Sequence, residues 1–509
     1  LLDASRIQAP FEYKFQAWNT ALSQGEAWIT GENRRIESLS LQQGDLYVLQ
    51  DDTAHFNLPQ WKAAGVAIPV FSLRSESSWG VGDFGDLKKF VDWAVLTKQK
   101  VIQILPINDT TITHTWTDSY PYNSISIFAF HPMYIDISAL YPLKDKKKMQ
   151  AYETERKKLN RLPKIDYEAT GQLKQKYLHE LFDQEKKRIL GLKEYQNFCQ
   201  ANEEWLLPYA AFSYLRDLNG TPVFAQWKEY ASYSKEKISQ LYQSEEKAKD
   251  AIDYYCCLQF ILHVQLLAAS DYARKKGVLL KGDIPIGISP NSVEAWTEPH
   301  YFNLNSQAGA PPDPFSAKGQ NWGFPTYNWE EMAKDNYKWW KHRMRKMSEY
   351  FDAYRIDHIL GFFRIWEIPS HSVEGLLGQF VPSLGLSVEE IERYGLHFRK
   401  DTFTKPYISQ SIVSDLFGEL AESVKQTYLC KITPHEFCLL PAFNTQRKIE
   451  AYFEGKNDPE SIRIKEGLFA LVNNVLFVVD HQNDSLFHPR IAVQDSPAFH
   501  SLRASEQKA

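Results

Sequence analysis

Two short apolar runs, GVAIPVFSL and KVIQILPI, are separated by GDLKKFVDWAVLTK, where Leu87, Phe90, Val91 and Ala94 recur at helical spacing. Two strands joined by such a helix run parallel. The same rhythm returns at GVLLKGDIP and FDAYRIDH. From about residue 60 the chain therefore reads as an α/β fold, either a parallel barrel or a doubly wound sheet. At 509 residues it exceeds one ordinary core unless that core is a large barrel with insertions, so at least two domains are expected.

Other segments interrupt or precede this rhythm. Residues 141–270 are helical in pattern and charge-rich, and the runs KDKKK, ERKK and EKKR read as solvated faces of an insertion. A second insertion spans about 371–500, where LFALVNNVLFVVD supplies β-like runs. Residues 11–50 look all-β, with Phe11, Tyr13 and Phe15 alternating with polar residues, then Trp28 and a turn at Gly31. One strand pair cannot bury itself, so this segment is expected to be the tail of a β-sandwich. FEYKF followed by AWITGENR resembles the C-terminal half of the starch-binding modules attached to amylases, which makes Trp28 a glucan-binding candidate. A core tryptophan beside a turn is the alternative.

Charge narrows the partner classes. Lys plus Arg total 58 against 63 Asp plus Glu, a net of −5 without the basic surplus of a nucleic-acid binder, so an uncharged partner is expected. Aromatics make up 14% of the chain, and their flat faces with polar edges suit sugar rings as well as a core. Five cysteines in so long a chain argue against a disulfide framework, and Cys430 and Cys438 lack a second pair at metal spacing. All five read as reduced thiols, with no metal site. No apolar run reaches membrane-spanning length, and LLDASRIQAPFEY lacks the layout of a secretory leader, so no membrane partner is expected. The first residue is not Met, and a processed chain or a fragment is the expectation.

Barrel enzymes carry their chemistry at the C-terminal ends of strands. Three strand-like runs here end in polar or acidic residues: at Asn108 and Asp109, at Asp283, and at Asp357. Asp283 alone reads first as a turn or helix-capping aspartate. Arg355 and Asp357 are two apart on one strand and face the same side. A guanidinium there keeps the carboxylate ionised, as a nucleophile requires. A structural ion pair is the competing reading.

SSWGVGDFGDL, DSYPYNSISIFAFHPMYIDI, KGDIPIGISPNSVEAW, GAPPDPFSAKGQNWGFPTYNW and RIDHILGFFRIWEIP, in this order over about residues 70–370, resemble the 4-α-glucanotransferases of glycoside hydrolase family 77. These are the amylomaltases and disproportionating enzymes, and the insertions favour the branch of the plant cytosolic disproportionating enzyme and its bacterial relatives. The resemblance implies a TIM (β/α)8-type barrel across 60–370, incomplete in this chain, with the helical insertion 141–270. It places a starch-binding β-sandwich remnant at 1–50 and the second insertion at 371–509. It also implies a cytoplasmic, cofactor-independent enzyme with a retaining double-displacement mechanism. Such an enzyme moves α-1,4-glucan segments or glucosyl units from a glucan or maltooligosaccharide to another glucan or glucose.

By the same resemblance Asp357 is the nucleophile and Arg355 its supporting arginine. Tyr122, Asp313 and Trp322 line the subsites, Asp283 stands at the barrel mouth, and His358 contacts substrate. Tyr120 and Glu294 depart from the common pattern and are expected to alter subsite shape. The family's acid/base glutamate in a Glu-Asp-Leu-Gly context and its His-Asp-Asn carboxylate do not occur in these 509 residues. The expectation is that half of the barrel is missing and that the chain is inactive alone. A non-catalytic α-glucan-binding protein derived from such an enzyme is the alternative.

Overall fold

The alternation of Phe11 and Tyr13 with Glu12 sets a period of two, and the segment folds as short strands: β1 (Phe11–Tyr13), β2 (Gln16–Asn19), β3 (Gln24–Trp28) and β4 (Arg34–Ile36). The computed structural model describes residues 7–19, 24–40, 42, 53–57 and 62–509, in two units, Leu1–Ala64 and Gly65–Ala509. In the first unit β1 pairs antiparallel with β4 and β2 with β3. Gly31, at φ +91°, makes the turn before β4 in a conformation open to glycine. Strands thus occur within 11–19 and 24–36, while 20–23, 41 and 43–50 lie outside the described residues.

The second unit begins with β5 (Gly65–Ile68), α1 (Phe84–Leu96) and β6 (Val101–Ile104). Asp83 caps α1 by accepting from the amides of Gly85 and Asp86. Leu87, Val91 and Ala94 form its buried stripe, as their spacing predicts. The charge-rich insertion is helical: α2 (Lys146–Asn160), α3 (Tyr167–Leu190), α4 (Lys193–Ala201), α5 (Glu203–Asn219), α6 (Lys235–Ser244) and α7 (Glu246–Lys275). Its charge runs are mostly exposed, but Arg156 of ERKK is buried, donating to the carbonyls of Glu76 and Ser78. Lys174, also buried, donates to the carbonyls of Met133 and Ile135 and so ties α3 to the loop after β6.

After α7 come β7 (Leu279–Ile284), α8 (Val293–Thr297), β8 (Phe302–Asn303), β9 (Ser306–Ala310), β10 (Gln320–Asn321) and β11 (Thr326–Tyr327). Then follow α9 (Trp329–Lys334), α10 (Lys338–Ser348), β12 (Ala353–Ile356), β13 (Ile365–Pro369) and β14 (Gln379–Val381). Strands β5, β6, β7 and β12 form one parallel sheet whose order follows the chain without reversal. A doubly wound sheet reverses at a switch point, so this order decides for the barrel-like progression. Strands β10, β9, β13 and β14 form an antiparallel sheet.

Three expectations are overturned. LFALV of the second insertion is the end of a helix, Pro459–Val472, capped by Asp458, and only Phe477–Val479 forms a strand. Asp-Pro at the N-cap and N1 positions starts a helix that a count of apolar residues does not see. Cys430 and Cys438 are disulfide-bonded, with Cα atoms 5.3 Å apart. They stand directly opposite on adjacent antiparallel strands, a geometry that their eight-residue spacing does not reveal. Helix α7 is long and apolar enough to cross a membrane, because its charged residues cluster near its ends. It packs against α1, α3, α5 and β7 as a core helix.

Candidate functional site

Asp283 is the fifth residue of β7, and Asp357 follows the last residue of β12. The parallel register pairs Arg355 with Asp283 and Ile356 with Ile284, so both carboxylates and the arginine converge where two strands end. Immediately beyond, His358 takes a left-handed backbone, φ +47° and ψ +55°, and caps the short turn Ile359–Phe362. A non-glycine residue held there is typical of a site over-determined by its surroundings. A Cβ on Gly361 would stand 2.6 Å from the His358 ring, so glycine there makes room for it.

Arg355 bridges the two acids. Its Nη1 lies 2.7 Å from Asp283 Oδ2 and its Nη2 2.6 Å from Asp357 Oδ1. Tyr122 donates its hydroxyl to the same Asp283 oxygen at 2.7 Å and accepts from Arg355 at 3.2 Å. Asp283 is buried, and burial raises its carboxyl above the usual range against the opposing pull of Tyr122 and Arg355. Burial and the bond to Asp283 push Tyr122 up to about 12. Arg355 is held above its ordinary value, since its bonds to Asp283 and the charges of both acids outweigh burial. Asp357 is partly open to solvent, 27% exposed at the side chain, so one carboxylate is locked in place and the other faces outward.

Aromatic residues surround this group. The Trp322 ring stands edge-on to His358, 4.9 Å between centroids, and its Nε1 donates to Gln320 Oε1 at 3.0 Å. Tyr120 is more than half exposed and 5.6 Å from the Tyr122 ring, and the partial desolvation of its hydroxyl plus the nearby Asp357 charge raise it. Burial lowers His358 against the pull of Asp357, which favours the neutral ring. The contact of Gln320 with Trp322, two residues on and just past the end of β10, is not announced by the sequence.

Other acidic residues have different partners. Asp313 accepts from the amides of Phe315 and Ser316, closing its own exposed turn, and no hydrogen bond or ion pair among the described residues joins it to Arg355. Asp109 is buried and accepts from Tyr209 at 2.6 Å, while Asn108 is buried beside it. Glu294 is buried on α8 and accepts from Ser126 and the amide of Ile127, with burial raising it to about 7, so it braces the loop after Tyr122 instead of facing outward. Glu367, on β13, is bound by Thr326 and His481. In the first unit Trp28 is 56% exposed, which removes the reading of a core tryptophan, and Trp18 on the paired strand is exposed as well. Among the described residues no group of three or more His, Cys, Asp or Glu is placed to hold a metal ion.

The model of glycoside hydrolase family 77, described as 4-alpha-glucanotransferase, matches residues 68–433. The chain is 42% identical over 478 residues to the 4-alpha-glucanotransferase DPE2 of Oryza sativa subsp. japonica, covering 93% of this chain and 50% of the rice protein. It is 37% identical over 307 residues to a 4-alpha-glucanotransferase of Chlamydia trachomatis, covering 59% of this chain and 56% of that one. It thus spans about half the length of these curated relatives. An amylomaltase from Streptococcus agalactiae, solved in complex with acarbose, superposes with a TM-score of 0.54 at 24% identity over 81% of this chain and 88% of that one, a likeness of fold.

Proposed function

This chain belongs to glycoside hydrolase family 77, the 4-alpha-glucanotransferases, and on that premise we propose that the Arg355 cluster is its glucan-transfer site, with Asp357 as nucleophile. The bridging of Asp283 and Asp357 by one guanidinium carries this reading. Arg355 donates to Asp357 Oδ1, orienting the carboxylate, and leaves the second oxygen to attack. That oxygen bonds to the anomeric carbon of a donor glucosyl unit as the bond to the leaving 4-oxygen breaks, and the departing chain takes its proton from a general acid, the role the family gives to its Glu-Asp-Leu-Gly glutamate. An acceptor 4-hydroxyl then attacks the same carbon, returns a proton to that acid/base carboxylate and frees Asp357, so the configuration is retained. Tyr122, Trp322, Tyr120 and His358 hold donor and acceptor rings over the nucleophile, which favours a sugar hydroxyl over water. Asp313 serves the same subsites from its loop.

The substrates proposed are α-1,4-glucans and maltooligosaccharides, with glucose or another glucan as acceptor, in the cytoplasm. The first unit is an α-glucan-binding module in this reading, with exposed Trp28 as its stacking surface. The sequence Glu-Asp-Leu-Gly does not occur in these 509 residues.

Fluoride release from an α-maltosyl fluoride tests the proposal, because fluoride leaves without a protonating acid. Release by the wild type and its loss in Asp357→Asn are expected. Equal release by both would remove Asp357 from the chemistry.

A further inference from the structure

The loop between β9 and β10 carries Asp313 and leads to Trp322, and its far side rests on the segment that follows β13. Lys318 Nζ lies 2.8 Å from Glu374 Oε1, and the Gly375 amide donates to the Lys318 carbonyl at 2.8 Å. Gly319 and Gly375 meet backbone to backbone: a Cβ on either would stand 3.1 Å from the other's Cα. Glu374, near the start of the second insertion, is itself gripped from deeper inside it. Its Oε2 accepts from Asn473 at 2.6 Å and Gln446 at 3.1 Å, and both of those side chains are buried. Gln446 Oε1 accepts in turn from the amides of Val373 and Glu374. Glu374 is therefore nearly buried, 11% exposed, with one oxygen committed to the insertion and the other aimed at the loop.

We propose that the second insertion is a clamp for the glucan-binding loop, and that Glu374 is a positioning residue acting on Trp322 and Asp313 through Lys318. This rests on the reading of that loop as part of the glucan site. An insertion far along the chain from Trp322 would otherwise have no need of a carboxylate fixed by two buried amides. The glycine contact explains why the clamp works at close range: with no side chains between the two backbones, movement of one is transmitted to the other. Trp322, four residues beyond Lys318, touches His358 beside the nucleophile, so the clamp ends at the reacting centre.

The test uses the 509-residue protein and maltoheptaose, with affinity read by tryptophan fluorescence and calorimetry. Glu374→Gln and Lys318→Met are each expected to raise Kd about two- to fivefold, the range of a partly exposed ion pair. The double variant should be no weaker than the weaker single one, since both remove one contact. Unchanged affinity in both single variants, or multiplied effects in the double, would overturn the clamp. Hydrogen exchange of the Asp313 amide and the 315–319 amides gives a second readout that needs no glucan. Faster exchange in both variants supports the clamp, and unchanged exchange overturns it. Trp322→Ala separates the two readings: if that variant binds maltoheptaose normally, the glucan-site reading fails, while exchange still decides the clamp.

Discussion

Arg355 and Asp283 occupy paired positions on neighbouring parallel strands, β12 and β7, and the arginine Nη1 lies 2.7 Å from the aspartate Oδ2. The Asp283 side chain has no solvent exposure, so Arg355 is the charge that compensates it. Arg355→Met is expected to destabilise the fold by about 1–3 kcal/mol at neutral pH, the cost of stranding a buried acceptor. Burial already raises Asp283, and losing the guanidinium raises it further. A carboxyl raised in the folded state favours folding when protonated and loses that contribution as pH rises. The loss in the variant should therefore be larger at pH 8 than at pH 5 in thermal unfolding. Equal losses would contradict this.

Trp322 is half-buried, with its indole nitrogen satisfied by Gln320. If its face stacks on a sugar, Trp322→Ala should weaken maltooligosaccharide binding by about 1–2 kcal/mol while the protein stays folded. Calorimetry and circular dichroism measure the two separately. Global unfolding of the variant would make the residue structural instead.

Glu294 is raised from 4.5 to about 7 by burial, and its native state holds a proton that the unfolded chain releases. Its contribution is thus full below about pH 4.5 and is lost as pH climbs through 7, by ~3 kcal/mol at most. Glu294→Gln removes that titration, so stability should decline less steeply across this window. Denaturant unfolding at several pH values reads the slope, and an unchanged slope would assign the titration elsewhere.

The Cys430–Cys438 disulfide leaves Cys199, Cys256 and Cys257 as thiols. Thiol titration of the denatured, unreduced protein should count three. Closing so short a loop stabilises by about 2–3 kcal/mol in the chain-entropy view, so reduction should lower the unfolding midpoint. A count of five would show the bond absent.

The parts of the fold carried by local periodicity were legible. Leu87, Val91 and Ala94 announce α1, and the run ending in Asp357 announces β12, because burial of one face imposes a period on the sequence. Pairings across long separations were not. Nothing in the sequence around Cys430 and Cys438 shows that they face each other, and the Asp-Pro start of Pro459–Val472 was hidden behind an apolar run. At the site, the i, i+2 spacing of Arg355 and Asp357 gave their common side. The bond from Tyr122 to Asp283 spans 161 residues and needs the strand register to be known. Glu294 was read only as a departure that alters subsite shape, and its burial and bond to Ser126, which make it a brace, depend on a contact across 168 residues.

The role of Asp357 is tested most directly by incubating the 509-residue chain with α-maltotriosyl fluoride and locating any covalent sugar by peptide mass spectrometry. Fluoride departs without protonation, so the nucleophile alone is interrogated. The expected result is one maltotriosyl group on the peptide containing Asp357, absent from Asp357→Asn. An unmodified wild-type chain, or a label on another residue, would contradict the assignment.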